Sequence, residues 1–586
     1  MTFVEVWAPR AKRVDLDTGD GLAPMAQDDR PGWWRADPGA AASYAFRLDD
    51  GPARPDPRSL RQPRGIHSPS GFDDPAAFPW TDQAWHGRPL SGAVIYELHI
   101  GTFTPGGTFD AAIARLDHLV SLGVDFVEVM PVAPFNGRHG WGYDGVSLWA
   151  VHESYGGPEA LRRFVDACHG RGLGVLLDVV YNHLGPSGNY LAEFGPYFTD
   201  THVTPWGPAV NLDGPDSDEV RSFIIGNALH WLRDNHFDGL RLDAVHALAD
   251  TRALHVLEEL ARTVDELADR TGRRLYLIAE SDRNDPRTVT SWRRGGLGMH
   301  AQWSDDFHHS LHSALTGERQ GYYCDFGSLA ALAKTLTSVF FHNGTYSTFR
   351  ARHHGRPVDT GALDADRFVV SLQTHDQVGN RARGDRIGAS LSEGLRRVGA
   401  GLLLTSPFTP QLFMGEEWGA GTPWQYFTDH PEPELAEAVR NGRRAEFAAY
   451  GWPPDDVPDP QDPETFARSV LDWSEPEREP HAGLLGWYRD LIALRHAEPD
   501  LADPGFASVS VRFDEDERWI VVRRGSLRVA ANLSDQPRVV TLDALATEIL
   551  LASDPTAELL EVIEDQGAAL TLPPESLTVL RSTPDL

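Results

Sequence analysis

The stretch "FDGLRLDAVHAL", residues 237–248, combines an apolar strand pattern with an arginine and an aspartate. Side chains two residues apart on a strand point to the same face of a sheet. The two leucines therefore share one face, and the glycine, Arg241 and Asp243 share the other. We expect the leucines to pack under helices and the charged pair to point into the space that the strands enclose. The stretch predicts a buried strand with polar chemistry at its carboxyl end.

Apolar runs of this kind recur from about residue 93 onward, separated by helical patterns such as "FDAAIARLDHLVSLG" at 109–123. Seven runs are clear, and an eighth is placed only near residues 299–306. Alternating strands and helices predict a parallel sheet, and eight is the number of strands that closes a barrel. An open doubly wound sheet is the competing arrangement. The seven runs lie at 94–100, 124–130, 173–180, 237–245, 274–280, 368–376 and 410–417.

The flanking sequence predicts smaller β-domains around an α/β core. Residues 1–88 alternate short apolar runs with Gly, Pro and Asp clusters, which predicts an N-terminal β-sandwich. Residues 89–500 form the predicted (β/α)8 TIM barrel, and 184–218 lack a helical period and form a predicted inserted loop domain after strand 3. Residues 501–586 predict a C-terminal β-sandwich.

Composition narrows the classes of partner. The 586 residues carry a formal charge of −32, which disfavours nucleic acid and anionic membranes as partners. Two cysteines, Cys168 and Cys324, are too few for a disulfide framework. The first residues lack a signal-peptide pattern and no run of eighteen apolar residues occurs, so we expect a cytoplasmic protein without a membrane span.

Several apolar runs end in acids and histidines. A single acid at a strand end is more often a helix cap or an ion-pair partner, but four such ends together favour a functional site. Two facing carboxylates are what the cleavage of a glycosidic bond requires, one to attack or stabilise the sugar cation and one to protonate the leaving oxygen. The residues concerned are Asp178, Asn182 and His183, then Arg241 and Asp243, then Glu280, and finally His375 and Asp376.

Arg241 can decide which of two facing carboxylates stays charged. Carboxylates about 5.5 Å apart, as in retaining glycosidases, repel each other by roughly 3 kcal/mol at an effective dielectric of about 20, or about two pKa units. Asp243 shares the face of Arg241, whereas Glu280 has no basic residue just before it. We therefore predict that Asp243 is the ionised nucleophile and that Glu280 is the acid with a raised pKa.

Four short segments, in order, resemble the signature regions of the α-amylase superfamily of glycoside hydrolases. They are "DVVYNH" (178–183), "GLRLDAVHAL" (239–248), "LIAESD" (277–282) and "LQTHDQVGN" (372–380). The resemblance implies a (β/α)8 barrel, an insertion after strand 3, a C-terminal β-domain and a retaining double displacement. It implies catalytic roles for Asp243 as nucleophile, Glu280 as general acid/base and Asp376 as a ligand of sugar hydroxyls, and substrate binding by Tyr143, His183, Arg241 and His375, with Asp178 more structural.

Finer stretches resemble the trehalose-releasing branch of this superfamily over about residues 1 to 500. This resemblance implies hydrolysis of the α-1,4 bond next to the terminal trehalose of maltooligosyltrehalose, and a pathway partnership with maltooligosyltrehalose synthase. A glucan branching enzyme is the alternative because it needs the same acids, and an inactive glucan-binding barrel is the second alternative. The stretches lie at 54–59, 94–109, 279–287, 301–318, 375–386 and 423–447.

Other candidate residues leave alternatives open. Trp206, Trp303 and Trp424 could stack on sugar faces, but core packing is the favoured interpretation of each. Asp305–Asp306 could bind trehalose hydroxyls or cap a helix. We expect no metal and no cofactor, because no zinc motif or complete oxygen cage is visible and the histidine pairs 308–309 and 353–354 are interpreted as solvated. We expect a monomer.

Overall fold

The computed structural model describes residues 3–448, 453, 456–543, 546–560 and 568–583. Eight parallel strands, β1 to β8, pair in chain order and close between β8 and β1. The predicted barrel is therefore confirmed and an open sheet is excluded. The strands are β1 (Ile95–Leu98), β2 (Phe126–Val129), β3 (Gly174–Val179), β4 (Gly239–Leu242), β5 (Tyr276–Ala279), β6 (Ala301–Trp303), β7 (Phe368–Ser371) and β8 (Thr409–Phe413).

Helices connect most of the strands on the outside of the barrel. Val256–Thr271 is representative: its buried residues recur every three or four positions, glutamates occupy its first turn, and Gly272 ends it with a φ of 66°. Between β5 and β6 the chain forms only the short 3-10 turns Pro286–Thr288 and Trp292–Arg294. The connecting helices are Phe109–Ile113, Leu116–Leu122, Gly157–His169, Ser217–Leu229, Val256–Thr271, Asp305–Thr316, Leu329–Ser338 and Glu393–Leu404, and the helix His481–Ala497 follows β8.

The interior of the barrel changes from apolar to polar along the strands. An apolar cluster that includes Phe126, Leu176 and Ile278 fills the end nearer the strand amino termini. The next inward-facing residue of β3 is Asp178, two residues after Leu176. It accepts a hydrogen bond from Arg241 on the neighbouring strand β4. Leu240 and Leu242 pack instead in the large core that contains the helix residues. The two faces predicted for β4 are therefore correct, and the polar face opens toward the carboxyl ends of the strands.

Smaller sheets flank the barrel in the regions where β-structure was predicted. Near the amino terminus, one sheet pairs Val4–Trp7, Trp33–Ala36 and Ala26–Gln27, and a second is built on Val14–Asp17 and Ser43–Leu48. Near the carboxyl terminus, a five-stranded sheet contains Val509–Asp514, Trp519–Arg524, Leu527–Asn532, Ser576–Ser582 and Ala546–Ala552, and a three-stranded sheet contains Arg538–Thr541, Ala569–Leu572 and Glu558–Leu560.

The insertion after β3 holds a one-turn helix and a hairpin. The helix is Leu191–Phe194, and the hairpin pairs Phe198–Thr204 with Gly207–Val210. This segment contacts the amino-terminal sheets, since Arg54 forms two 2.8 Å hydrogen bonds with Glu193. The insertion therefore lies between the amino-terminal sheets and the mouth of the barrel. No helix in the described part of the chain is long and apolar enough to span a membrane.

Candidate active site

The ends of β4 and β5 bring two carboxylic acids next to each other. Asp243 follows β4 and its backbone N–H donates to the carbonyl of Val179 at 3.0 Å, while the N–H of Glu280 donates to the carbonyl of Leu242 at 3.0 Å. The parallel ladder thus continues one residue past each strand. Residues at this position of a barrel face the catalytic end, and both side chains retain some exposure, 12% for Asp243 and 20% for Glu280.

The Arg241 guanidinium contacts three carboxylates. Its Nη1 donates to Asp243 Oδ1 at 2.8 Å and to Asp178 Oδ1 at 3.0 Å, and its Nη2 lies 3.5 Å from Glu280 Oε2. The side chain is fully buried and its guanidinium carbon lies 4.3 Å from the centre of the Trp303 ring. Burial opposes the charge of Arg241, but these carboxylates and Tyr143 raise its pKa. The arginine therefore stays cationic and favours ionised acids around it.

The second oxygen of Asp243 is also held. Asn182 Nδ2 donates to Asp243 Oδ2 at 2.7 Å and to the Asp243 carbonyl at 2.9 Å. His183 Nδ1 contacts Asn182 Oδ1 at 2.5 Å, and its Nε2 lies 3.1 Å from the Tyr143 carbonyl. Asp243 thus receives one charged and one neutral hydrogen bond on its two side-chain oxygens. Hydrogen bonds donated to a carboxylate stabilise its ionised form.

Glu280 has a different environment. Burial raises its pKa to about 8, and the charges of Asp243 and Asp376 act in the same direction against the attraction of Arg241. Its Oε2 accepts a 2.5 Å hydrogen bond from the backbone N–H of Ala244. Ala244 has a φ of 41°, a left-handed conformation that is costly for alanine. This backbone conformation directs the N–H after Asp243 at Glu280, so the two acids are also connected through the main chain.

His375 and Asp376 lie across the mouth on the segment after β7. His375 Nε2 lies 2.8 Å from the Tyr143 hydroxyl and 3.4 Å from Asp376 Oδ2, and the Tyr143 hydroxyl donates to Asp178 Oδ2 at 2.7 Å. The Tyr143 ring stacks on His375 with centroids 5.2 Å apart. Burial raises the pKa of Asp178 to about 6 although Arg241 opposes the shift. Asp178 therefore links Arg241 to the stacked rings of Tyr143 and His375.

The structure brings all seven of the predicted site residues together at one end of the barrel. Asp178 and Asn182, which the sequence also marked, connect them. Asp376 is the most exposed of the three acids, with 40% of its side chain accessible. Its Oδ1 accepts a 3.3 Å hydrogen bond from Asn380. The seven residues are Tyr143, His183, Arg241, Asp243, Glu280, His375 and Asp376.

The three tryptophans have different environments. Trp424 is fully buried and Trp303 is 5% exposed, so both are core residues, as favoured. Trp206, on the inserted hairpin, is 48% exposed and stacks on His183 with centroids 4.7 Å apart. The core interpretation is wrong for Trp206, because the hairpin carries it over the site. A sequence pattern cannot reveal this placement, since it depends on how the hairpin folds back.

The acidic pair Asp305–Asp306 and the histidine pairs 308–309 and 353–354 follow β6 in the chain. Asp306 is buried and accepts hydrogen bonds from Asn284 Nδ2 and from the backbone N–H of His342, so its role is structural. The interpretation of the two histidine pairs as solvated is wrong for His308 and His354, which are 1% and 5% exposed. Both lie inside packed segments whose burial lowers the pKa of each ring.

Glu97 on β1 is the site residue that sequence reasoning missed. Both of its carboxylate oxygens contact His375. The available signal was a glutamate in the otherwise apolar run "VIYELHI". Glu128 in "VDFVEVM" carries the same signal on the next strand and is also fully buried. Within the described residues, no group of three or more His, Cys, Asp or Glu side chains is placed to hold a metal ion.

Known proteins share this fold and most of this sequence. Residues 69–200 match the alpha amylase catalytic domain family, and residues 504–579 match "Domain of unknown function (DUF3459)". A crystal structure assigned as an alpha amylase from Salmonella typhimurium superposes with a TM-score of 0.88 at 39% identity, covering 99% of this chain and 97% of that one. The barrel and its acidic site thus define a glycoside hydrolase of the α-amylase family.

Sequence identity resolves the family further. The malto-oligosyltrehalose trehalohydrolase of Arthrobacter ramosus is 59% identical over 539 residues, which cover 91% of this chain and 93% of that protein. A 1,4-alpha-glucan branching enzyme of Xanthomonas campestris is 27% identical, with 75% of this chain and 64% of the enzyme covered. The chain belongs to the malto-oligosyltrehalose trehalohydrolase family.

Proposed function

We propose that the protein hydrolyses the α-1,4 bond next to the terminal trehalose of maltooligosyltrehalose, with retention of configuration, and releases trehalose and a maltooligosaccharide. The substrate is supported by the name and the high identity of the Arthrobacter relative. The mechanism is supported by one observation above all, the unequal environments of Asp243 and Glu280 around the same guanidinium.

In the first step Asp243 attacks the anomeric carbon while Glu280 donates its proton to the leaving oxygen. The 2.8 Å bond from Arg241 and the 2.7 Å bond from Asn182 keep Asp243 ionised and aligned. Glu280, whose pKa is about 8, still carries its proton at neutral pH. The glycosidic bond breaks, trehalose leaves with the proton, and the glucan remains esterified to Asp243.

In the second step Glu280 acts as the base. It now lacks its proton and takes one from a water molecule, which attacks the anomeric carbon and releases Asp243 as a carboxylate. Asp376 and His375 are positioned to hold hydroxyls of the sugar in the site, and the Tyr143 ring lies beside them. Two inversions give net retention, and both acids return to their initial states.

A product assay distinguishes this function from that of a branching enzyme. The protein is incubated with maltooligosyltrehalose and, separately, with amylose, and trehalose and new α-1,6 branches are measured. We expect free trehalose from the first substrate and no branches in the second. Branches without trehalose would establish the transferase instead, and an inert protein that still binds maltodextrin would indicate a binding module. The Asp243→Asn variant is the negative control.

The proposed substrate also bears on where the protein acts and with which enzyme. The substrate must be supplied by an enzyme that isomerises the reducing end of a maltooligosaccharide, so we place the protein in the cytoplasm beside maltooligosyltrehalose synthase. We expect it to act as a monomer, because the acids, Arg241 and the aromatic residues of the site all come from one chain. Gel filtration with light scattering tests the monomer, for which a mass near 64.7 kDa is expected.

A further inference from the structure

We propose that Glu97 is a positioning residue of this active site, which holds His375 in its doubly protonated form and fixes the backbone that leads into Asp376. The inference rests on the proposed function for the meaning of the site, and it adds a residue outside the four signature segments. Glu97 lies on β1 and is fully buried. It contacts His375, one of the proposed substrate-binding residues, without itself being exposed at the mouth of the site.

Both Glu97 oxygens bind one residue. Oε1 lies 2.5 Å from His375 Nδ1, and Oε2 accepts a 3.0 Å hydrogen bond from the His375 backbone N–H. Glu97 thus holds both the ring and the backbone of His375, which is the first residue of the helix His375–Gly379. Asp376 is the next residue along the chain, so its backbone position depends on the same anchor.

The hydrogen-bond pattern around the His375 ring is satisfied when each ring nitrogen carries a proton. Nδ1 faces the Glu97 carboxyl group, and an ionised carboxylate can only accept, so Nδ1 donates to it. On the other side, the single hydroxyl proton of Tyr143 is donated to Asp178 Oδ2. The Tyr143 oxygen must therefore accept from His375 Nε2, 2.8 Å away. The ring is an imidazolium, and its Nε2–H also faces Asp376 Oδ2 at 3.4 Å.

The charges around His375 agree with this assignment. Burial favours the neutral ring, but the charges of Asp376 and Glu97 raise the pKa of His375 to about 9, against the repulsion of Arg241. The positive charge of His375 in turn acts to lower the pKa of Asp178 and of Glu128, although burial raises the pKa of both acids. His99 is a further neighbour, and burial lowers its pKa to about 3, so it adds no positive charge at neutral pH.

Glu128 provides a matched control for Glu97. The two glutamates are direct partners in the register of β1 and β2, and both are fully buried. Neither side-chain oxygen of Glu128 has a hydrogen-bond partner within the described residues. Burial and the charge of Glu97 raise its pKa well above that of an ordinary carboxyl group. Glu128 is therefore neutral, and glutamine at position 128 preserves its shape and charge.

Three variants test the proposal through pH profiles of kcat and KM on maltooligosyltrehalose. Glu97→Gln keeps the shape and loses the charge, Glu97→Asp keeps the charge at a shorter reach, and Glu128→Gln is the control. For Glu97→Gln we expect the basic limb of kcat that reports His375 to move down by at least about two pH units from its wild-type position near pH 9. It then lies below the limb set by Glu280, which gives about a tenfold loss of kcat at pH 8, with a smaller change in KM. Glu97→Asp should lose rate but keep the limb near its wild-type position, and Glu128→Gln should resemble wild type.

The proposal fails if Glu97→Gln and Glu97→Asp have the same basic limb, because a purely structural role would lower both rates without moving the limb. It also fails if Glu97→Gln resembles wild type. Inactive wild-type protein would instead contradict the proposed function. If Glu97→Gln does not fold, ¹⁵N NMR of histidine-labelled wild type, assigned with His375→Gln, decides the question. Two protonated nitrogens on His375 at pH 7.5 are expected, and a neutral ring would overturn the inference.

Discussion

At the scale of single residues, the site depends on two carboxylic acids that share an arginine but differ in their other contacts. Asp243 receives hydrogen bonds on both oxygens, from Arg241 and Asn182. Glu280 lies 3.5 Å from the same guanidinium and receives one backbone bond. In the proposed mechanism Asp243 therefore carries the charge and Glu280 the proton, which is the division of roles that a retaining glycosidase needs.

Replacing Asp243 by asparagine tests this assignment. The amide cannot form the glycosyl ester, so we expect kcat to fall by at least about 10⁴-fold, toward the roughly 10⁶-fold loss that follows removal of a covalent nucleophile. Asp218→Asn is the control, since Asp218 is exposed and pairs with Arg252 at the surface. Steady-state kinetics and a thermal melt of both variants check the result. Full activity in Asp243→Asn would contradict the nucleophile assignment.

The pH dependence of activity follows from Glu280. Because this acid must carry its proton in the first step and its pKa is about 8, kcat/KM should fall about tenfold per pH unit above pH 8. A pH profile of kcat/KM with wild-type protein provides the measurement. A profile without a basic limb would show that a protonated Glu280 is not required.

The same shift predicts an effect on stability with a definite sign. The folded-state pKa of Glu280 is raised from 4.5 to about 8, so the folded protein binds the proton more tightly than the unfolded chain. The Glu280 contribution to the free energy of unfolding is therefore fully present at low pH and is lost as pH rises to about 8. Glu280→Gln should match wild type near pH 4.5 and be more stable at pH 9. Equal melting temperatures at pH 9 would contradict the raised pKa.

At the scale of secondary-structure elements, the short helix His375–Gly379 positions Asp376. A methyl group added at Gly379 would lie 2.0 Å from a ring atom of Trp141 and 3.1 Å from a ring atom of Trp424. We expect Gly379→Ala to destabilise the fold by about 1 to 3 kcal/mol through overpacking and to lower kcat by moving Asp376. Gly486→Ala is the control, because Gly486 lies in the helix His481–Ala497 with open space around it. That change should stabilise by up to about 1 kcal/mol.

Denaturant unfolding and kinetics of both glycine variants check this prediction. Unchanged activity in Gly379→Ala, together with unchanged stability, would mean that the helix can shift without cost. The comparison separates a packing effect at the site from the general effect of alanine on a helix. It also tests whether the precise placement of Asp376 matters for the reaction.

Most of the barrel strands and the position of the site could be predicted from the sequence. Seven strands were recognised because each is an apolar run and helical periodicity separates most of the runs, and polar residues at several strand ends identified the site. The strand β6 has only three residues, and so short an apolar run is difficult to recognise, so its position was predicted only approximately. The placement of Trp206 and the contact between Glu97 and His375 were not predictable, because each depends on side chains that are distant in sequence and meet only in the closed barrel.

At the scale of the whole molecule, buried arginines join the barrel to the carboxyl-terminal sheet. Arg524, on the strand Trp519–Arg524, donates to the carbonyls of Thr405, Asp500, Leu501 and Asp503. The Thr405 carbonyl follows the barrel helix Glu393–Leu404, and the other three belong to the short helix Pro499–Ala502 and the residue after it. A single guanidinium thus satisfies four backbone acceptors at the junction.

Replacing Arg524 by methionine should leave these acceptors unsatisfied. We expect the free energy of unfolding to fall by about 3 to 5 kcal/mol, with little change in kcat for the molecules that remain folded. Arg512→Met is the control, because Arg512 makes one exposed bond to the Thr541 carbonyl. Urea denaturation and kinetics at a temperature below both transitions check the prediction. Wild-type stability in Arg524→Met would show that water replaces the guanidinium without cost.

Trapping the glycosyl-enzyme tests the central claim most directly. Glu280→Gln protein is incubated with a fluorinated maltosyl fluoride, whose good leaving group makes the missing acid unnecessary for the first step, and the product is digested and examined by mass spectrometry. The account predicts a maltosyl ester on the peptide that contains Asp243, with its loss in Asp243→Asn. A label on any other carboxylate, or inversion at the anomeric carbon of the natural product, would contradict it.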